Sequence, residues 1–578
     1  MPNEDSTPLT TLELPIVLDA ASRSFMQKAF ALACDINIAT LAAVMDGIKG
    51  MRASEEYRRA VAMPKGKARN TRLKEIQKKW GITKSGVQQL AIIIKNATGR
   101  AHLLGPHEVQ KIAENIWQSV SNYLFEHRGR PRFKSRRRGV HSICGKVCAG
   151  MHLNQKGELV RTSGDIDWDG ELHLLKWRGR EFPVRVPDTE YVRLMLTKAD
   201  TSYTGDGIAP RIPAEVRYCR IIRRKIRAKE HFFLQLVIAN RPPMLHAVAE
   251  KTERGALDVG PSKAAIVTAI GIIGLEEVAP HADMDWERIK QIQIRIDRSM
   301  RINNPDNYES DFEAKVGRKT VKKKGKVKKG AHKWVITKHC RALREELAEA
   351  YRLQEETRRR DHFNLINRIF AAAGHIQLEA LNYTSFQKLF GKSSQRQAMG
   401  TFILRLRQKA AYAAVEVVEM DPRELRMSQW DHITGQFSKK PLSQRWHRLG
   451  ETNRIIQRDI YSAILACCAE AAPDLVKDKP VYKIDPESVS GLVEALEPTL
   501  LAAGLLREYE PPTGSDWASA LAHLTQEPII GFSVRGGRQG KPSARVTPAG
   551  TDTAKAAKSV PAADPTGRAG IACGSAGG

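Results

Sequence analysis

The chain has 578 residues, and 93 Lys and Arg against 64 Asp and Glu leave a formal charge of +29, which makes a polyanion the leading partner. With 42% hydrophobic residues there is apolar matter for two to four packed domains, which excludes a wholly disordered chain. No run reaches the roughly 18 apolar residues of a membrane helix, since Lys28 and Asp35 break the most apolar stretch, and acids stand where a signal peptide carries bases, so a soluble, intracellular protein with no membrane partner is expected.

In chain order, residues 11 to 18 alternate as an opening strand, and from Asp19 to Met51 apolar residues recur at helical spacing. Arg58 to Lys79 is a cation-rich polar stretch, and a second helical pattern runs from Lys84 to Ile116. Residues 127 to 138 then set seven bases, Arg128, Arg130, Arg132, Lys134, Arg136, Arg137 and Arg138, around Pro131 and Phe133 without one acid. No core forms from such a segment; cations interleaved with a ring suit a chain laid along a phosphate backbone. Cys144 and Cys148 lack a second ligand pair at zinc-ribbon spacing, and the eight cysteines are too scattered for a disulfide framework. Between Leu153 and Ala239 the texture is β, with Arg217, Arg220 and Arg224 giving a basic face; a small barrel or curled sheet fits, and Arg220, Arg223 and Arg224 are its expected contacts.

After Pro242-Pro243 a new unit opens with a hairpin, 255–260 and 266–270. Residues 315 to 338 hold eleven Lys or Arg and no acid, and Lys322, Lys323, Lys324, Lys328 and Lys329 are expected to meet nucleic acid. Helical spacing follows from Lys338 to Ala373, a strand at 375–379, a helix at 397–413, a strand at 415–418 and a final helix at 454–470. Strands followed by helices in this order indicate an α/β unit. Beyond Pro480 a small helical or mixed segment and a Gly-, Ala- and Pro-rich tail complete the chain, the tail expected to be disordered.

Three acids occupy awkward positions: Asp258 inside an apolar strand, Glu379 at a strand end, and Asp459 within an apolar helix. An inward-facing carboxylate is costly unless it is paired or binds a metal.

Taken with their neighbours, these residues resemble the TnpB nucleases of insertion sequences and the type V CRISPR effectors, which share a split RuvC domain. The motifs are Ala256-Leu-Asp258-Val-Gly260, Leu378-Glu379-Ala380-Leu381-Asn382, and Gln457-Arg458-Asp459-Ile460-Tyr461-Ser462-Ala463, in family order across residues 250 to 470. The resemblance implies a multidomain α/β protein with an RNase H-like core, in which Asp258, Glu379 and Asp459 bind Mg²⁺ or Mn²⁺ and Arg458 contacts nucleic acid. It implies a guide RNA, a double-stranded DNA target, and a monomer or dimer on the RNA, in a prokaryotic cytoplasm with activity at the nucleoid. The domains expected are a nucleic-acid-binding lobe at 1–245, with a wedge-like barrel and a helical recognition insert at 19–126. A split nuclease follows at 246–470 with a basic helical insert at 284–374, then a small helical segment at 471–535 and a disordered tail at 536–578.

At residues 428–450, where the family carries a zinc ribbon, this chain has no cysteine, so no structural zinc is expected. Asp431, His432 and His447 read there as parts of a polar, hydrogen-bonded loop. The function expected is RNA-guided DNA cleavage; the alternatives are guided repression without cleavage and a DNA-only recombinase or resolvase on the same fold.

Overall fold

The computed structural model describes residues 9–126, 128–145, 150–153, 159–162, 166–200, 208–283, 286–316, 319–330, 332–381, 391, 396–441, 444–476, 479–513 and 516–524. All of these belong to one compact unit, Met1–Glu527. Cys148, His127 and the tail expected at 536–578 lie outside the described residues.

The first half is built on an open four-stranded sheet in which Leu9–Pro15 pairs with Lys229–Ala239, that strand with Val216–Ile226, and that in turn with Ser142–Cys144, all antiparallel. Alternation turns Leu12 and Leu14 inward, against the helix Ala20–Ala53, whose Met26, Ala29, Phe30, Ala33 and Ile36 are fully buried. That helix is long and apolar enough to cross a bilayer by length and composition, yet its apolar face is covered by protein. A separate three-stranded sheet, Ile166–Asp169, Leu174–Trp177 and Arg180–Pro183, meets the first through the bridge Ile16 to Val184, so the expected barrel is two open sheets. The Trp177 indole donates to buried Glu108 at 2.7 Å, tying the small sheet to the helix Pro106–Phe125.

Two expectations for this half are corrected. The helical pattern from 84 to 116 is two helices, Lys84–Ala97 and Pro106–Phe125, because Gly99 takes a left-handed φ of 68° and Pro106 starts the next helix. The polar stretch from 58 to 79 is a helix pair, Glu55–Ala62 and Lys67–Lys79, in which Glu56 pairs with both Arg72 (2.7 Å) and Lys79 (3.0 Å).

The second half is a three-layer α/β unit around a five-stranded sheet, in the order Gly271–Glu276, Ala264–Thr268, Arg254–Val259, His375–Glu379, Glu416–Met420. The first three strands are antiparallel, and the last three run parallel to one another. One face, carrying Leu257, Val259, Ile266 and Leu378, packs on the helices Lys338–Ala372 and Met399–Ala413. The other, carrying Ala256, Ala265 and Val267, packs on Arg458–Cys467 and Pro486–Ala502.

The final helix expected from 454 instead begins at Arg458: Arg454–Gln457 is a strand paired antiparallel with Trp446–Arg448 and Leu506–Glu508. The segment after 470 is correspondingly less helical than expected, with a hairpin of Ala469–Val476 and Lys479–Ile484 before Pro486–Ala502. Its Val493, Leu496 and Leu500 join Ile456, Ile460 and Ile464 in one core. The basic insert contains a β-hairpin, Phe312–Val316 with Lys319–Lys323, between the helices Trp286–Asn303 and Lys338–Ala372.

Because Leu500 is fully buried in this shared core, Leu500→Ala is expected to cost about 2–5 kcal/mol. Thermal unfolding of the purified protein should show a lower midpoint, and an unchanged midpoint would mean that the C-terminal helix does not close the core.

Candidate active site

Strand register sets the first two acids. Leu257 pairs with Leu378 in the parallel ladder, so Asp258 and Glu379, one residue further on in each strand, lie side by side at the strands' C-terminal ends. Neighbouring strands are about 4.8 Å apart. Since Leu257 and Leu378 face the long helices, period-two alternation turns Asp258 and Glu379 to the opposite face, toward the helix Arg458–Cys467. Small Ala265 stands across from Asp258 in the antiparallel ladder.

Asp459 enters from above, in the first turn of Arg458–Cys467, where the helix dipole favours a carboxylate. Gln457 caps that helix by accepting from the Ile460 N–H at 2.7 Å, and its amide donates to Asp459 at 3.3 Å. Arg458 donates to the other Asp459 oxygen at 3.2 and 3.3 Å, and Arg445 stands 3.6 Å away.

Burial, then the charges of Asp459 and Glu379, hold the Asp258 carboxyl well above the ordinary carboxylate range, with Arg458 and the Ser462 hydroxyl pulling the other way. Burial likewise raises Glu379. The three predicted acids are therefore brought to one face, where Asp258 feels the charges of the other two. Among the described residues, however, no three His, Cys, Asp or Glu side chains stand in metal-ligand geometry, and Asp459 is turned onto its arginines.

Two polar groups on this face were not anticipated. Ser462 Oγ, one turn beyond Asp459, is buried beside Asp258, and Gln377 Oε1, two residues before Glu379, is buried without a hydrogen-bond partner. Each interrupts an apolar run at a spacing, i+3 on a helix or i−2 on a strand, that places it beside an acid; that was the available signal.

The predicted nucleic-acid contacts divide. Arg128, Arg130, Arg132, Phe133, Lys134, Arg136, Arg137 and Arg138 are all exposed, with Arg128 beside Glu126 and Arg136 beside Asp35. Lys322, Lys323, Lys324, Lys328 and Lys329 are exposed too, Lys324 pairing with Asp297 at 2.8 Å. Arg223 is turned into protein: it donates to the carbonyls of Arg138 (2.7 Å) and Val140 (3.0 Å) and lies over Phe30, so it shapes the basic segment from beneath. Arg220 leans on Tyr218, and Arg224 pairs with Glu13. Arg458, its side chain only 11% exposed, serves Asp459 and the Pro441 carbonyl.

Residues 428–450 hang on the same helix. Asp431 accepts from the Ile433 and Thr434 N–H groups (3.1 and 2.9 Å), the Thr434 hydroxyl (3.1 Å), the Gly450 N–H (3.0 Å) and His447 Nε2 (2.9 Å). The His447 ring stacks on Tyr461 at 4.4 Å, and the Tyr461 hydroxyl meets both His432 Nδ1 (2.7 Å) and the His432 N–H (3.0 Å). Tyr461 is two residues beyond Asp459, so this loop and the third acid share one anchor. Burial raises Asp431, but the bonds from His447, Gly450 and Thr434 outweigh it and hold the carboxyl far below its usual range. Burial pushes Lys440, whose ammonium faces His447 Nδ1, down to about 8.

Two outcomes follow from these charges. A carboxylate held low in the fold stabilises above its unfolded pKa, and that contribution is lost as pH falls through the folded value. Asp431→Asn, which leaves the His447, Gly450 and Thr434 donors short of an acceptor, is thus expected to lower the unfolding temperature at neutral pH by an amount that shrinks on acidification. Asp258 is the opposite case, a carboxylate destabilised by burial and like charges. Asp258→Asn should therefore raise the unfolding temperature in chelator-treated buffer, and an unchanged or lower value would contradict the crowding of these acids.

No family model and no curated protein matches the chain. Among solved structures it is similar to a Cas12f1–sgRNA–target DNA complex determined by cryo-EM, at 12% identity and a TM-score of 0.33, covering 79% of this chain and 98% of that one. It is also similar to a CRISPR–Cas12f ternary complex determined by cryo-EM, at 13% identity and a TM-score of 0.23, covering 81% of this chain and 99% of that one.

Proposed function

We propose that this chain is an RNA-guided DNA endonuclease that hydrolyses phosphodiester bonds at Asp258, Glu379 and Asp459. The observation that carries the reading is the gathering of these carboxylates on one sheet face, where burial and then the charges of the other two destabilise the Asp258 carboxylate. Their hard oxygens suit Mg²⁺ or Mn²⁺, and the unpartnered Gln377 Oε1 on the same face fits a hydrated cation. Asp258, Glu379 and Asp459 would hold the metal, which when bound activates water and neutralises the departing oxygen. Asp258 and Glu379 are fixed by strand pairing, while Asp459, on the first turn of its helix, is the acid whose rotation completes the set. Arg445, half exposed at the rim, is placed where a phosphate approaches.

A charge of +29 and the exposed bases at 128–138 and 322–329 support polyanionic partners. The partners assigned are a guide RNA, which reads sequence by pairing, and a duplex DNA target; the Cas12f1 structure likewise contains an sgRNA and a target DNA. One observation favours a second reading, guided binding without cleavage: Asp459 is held by Arg458 and Arg445 rather than turned to Asp258.

The test is to purify the protein with the RNA expressed from its own locus and to incubate it with a matched DNA library and Mg²⁺. Cuts are expected from wild type, with a loss of about a thousandfold or more in Asp258→Ala, Glu379→Ala and Asp459→Ala, and DNA binding unchanged. Bound RNA without cuts from any of the four proteins would establish the repressor, and absence of RNA would leave a DNA-only enzyme.

A further inference from the structure

The insert between the first two acids carries an aromatic feature that the nuclease reading leaves unused. Residues 325–330 and 332–335 are laced onto 304–309. The Asn304 side chain, buried, accepts from the Val335 N–H at 2.6 Å and donates to the Val335 carbonyl at 3.0 Å, as a paired strand would. The Asn307 side chain donates to the Lys333 carbonyl at 3.1 Å, and the Lys328 N–H donates to the Asn307 carbonyl at 2.9 Å. Gly325 lies so close to the Glu309 carbonyl that a Cβ there would come within 1.8 Å of its oxygen, so only glycine allows the approach.

This lacing fixes Trp334. Its ring meets Tyr308 edge-on at 5.8 Å and His332 at 6.0 Å, and Arg301 braces Tyr308 from 4.4 Å, yet Trp334 remains 37% exposed. Lys328 and Lys333, on the same laced segment, and Lys322, Lys323 and Lys329, elsewhere in the same basic insert, make no ion pair among the described residues, whereas Lys324 is taken by Asp297. A ring held in place loses little conformational freedom when a flat partner stacks on it, and free ammonium groups beside it suit a phosphate backbone.

We infer that this surface binds a single nucleic-acid strand, with a base stacked on Trp334 and the neighbouring phosphates on the lysines. Lysines alone take duplex and single strand alike; the exposed ring selects the single strand, because only there is a base face open. The inference rests on the reading of the chain as a nucleic-acid-binding protein and adds the strand's form and the residue that grips it.

The experiment uses full-length protein and a labelled oligothymidylate, with a mixed-sequence duplex in parallel, over a salt series. Trp334→Ala is expected to weaken single-strand binding about tenfold or more with the salt slope and duplex binding unchanged, and Trp334→Phe to restore most of the loss. Replacing Lys322, Lys323, Lys328 and Lys329 by Ala should weaken both ligands and flatten the slope by about one unit per lost phosphate contact. Ultraviolet cross-linking should place thymidine on the tryptic peptide beginning at Trp334. Equal losses on both ligands with Trp334→Ala, or no loss and no cross-link at that peptide, would overturn the inference. Cleavage by the same preparations is scored separately: a protein that never cuts but grips single strands through Trp334 refutes the nuclease and keeps this site, and the converse result refutes this site alone.

Discussion

The organisation of the second half turns on the parallel pairing of Arg254–Val259 with His375–Glu379. Register, not side-chain attraction, brings Asp258 and Glu379 together, since Leu257 opposite Leu378 leaves the following residues no other arrangement. Two carboxylates so placed repel by a few kcal/mol at the effective dielectric of a partly buried site, and Asp459 adds to the repulsion of Asp258. A protein does not keep such a set for stability. The fold tolerates it because both sheet faces are filled, Leu257, Ile266 and Leu378 against one pair of helices and Ala256, Ala265 and Val267 against the other.

That second face is closed by chain from far apart. The helix of Asp459 packs directly on the strands of Asp258 and Glu379, and the strand before it, Arg454–Gln457, takes a partner from Leu506–Glu508, some fifty residues later. The helix Pro486–Ala502 and the strand Leu506–Glu508 thus belong to the same packed body as the acids. The two halves also touch through charge: Lys225, at the end of the N-terminal sheet, pairs with Glu345 at 2.7 Å, and the Arg227 N–H donates to Glu349 at 3.2 Å, both on the long helix Lys338–Ala372. Such exposed contacts set orientation more than stability.

Much of this was legible in the residues themselves. The hairpin carrying Asp258, the strand ending at Glu379 and the long helix from Lys338 follow from apolar periodicity and turn chemistry, and the observed bounds agree within a few residues. What stayed hidden depended on distant partners. Ile455 and Ile456 fit a helical run as well as a strand until Leu506–Glu508 is present to pair with them. The helices Glu55–Ala62 and Lys67–Lys79 read as a cation-rich polar stretch because Glu56 neutralises Arg72 and Lys79 only across the turn. Arg223 could have been assigned by parity: it shares a face with Cys219 and Ile221, both fully buried, so its guanidinium points into the protein while Arg224 points out.

The same distinction explains the unequal standing of the three acids. Asp258 and Glu379 are on adjacent strands in a ladder that fixes both backbones, and only side-chain rotation is left to them. Asp459 depends on the placement of a helix whose N-terminus has a loop hung on it, through Arg458 to the Pro441 carbonyl and through Tyr461 to His432 and His447. Asp431 gathers that loop by accepting five hydrogen bonds, three of them from backbone N–H groups. A disturbance of the loop therefore reaches the helix-borne acid before the strand-borne pair, which makes the junction of Asp431, His447 and Tyr461 the point where loop conformation and the geometry of the candidate site are physically one variable.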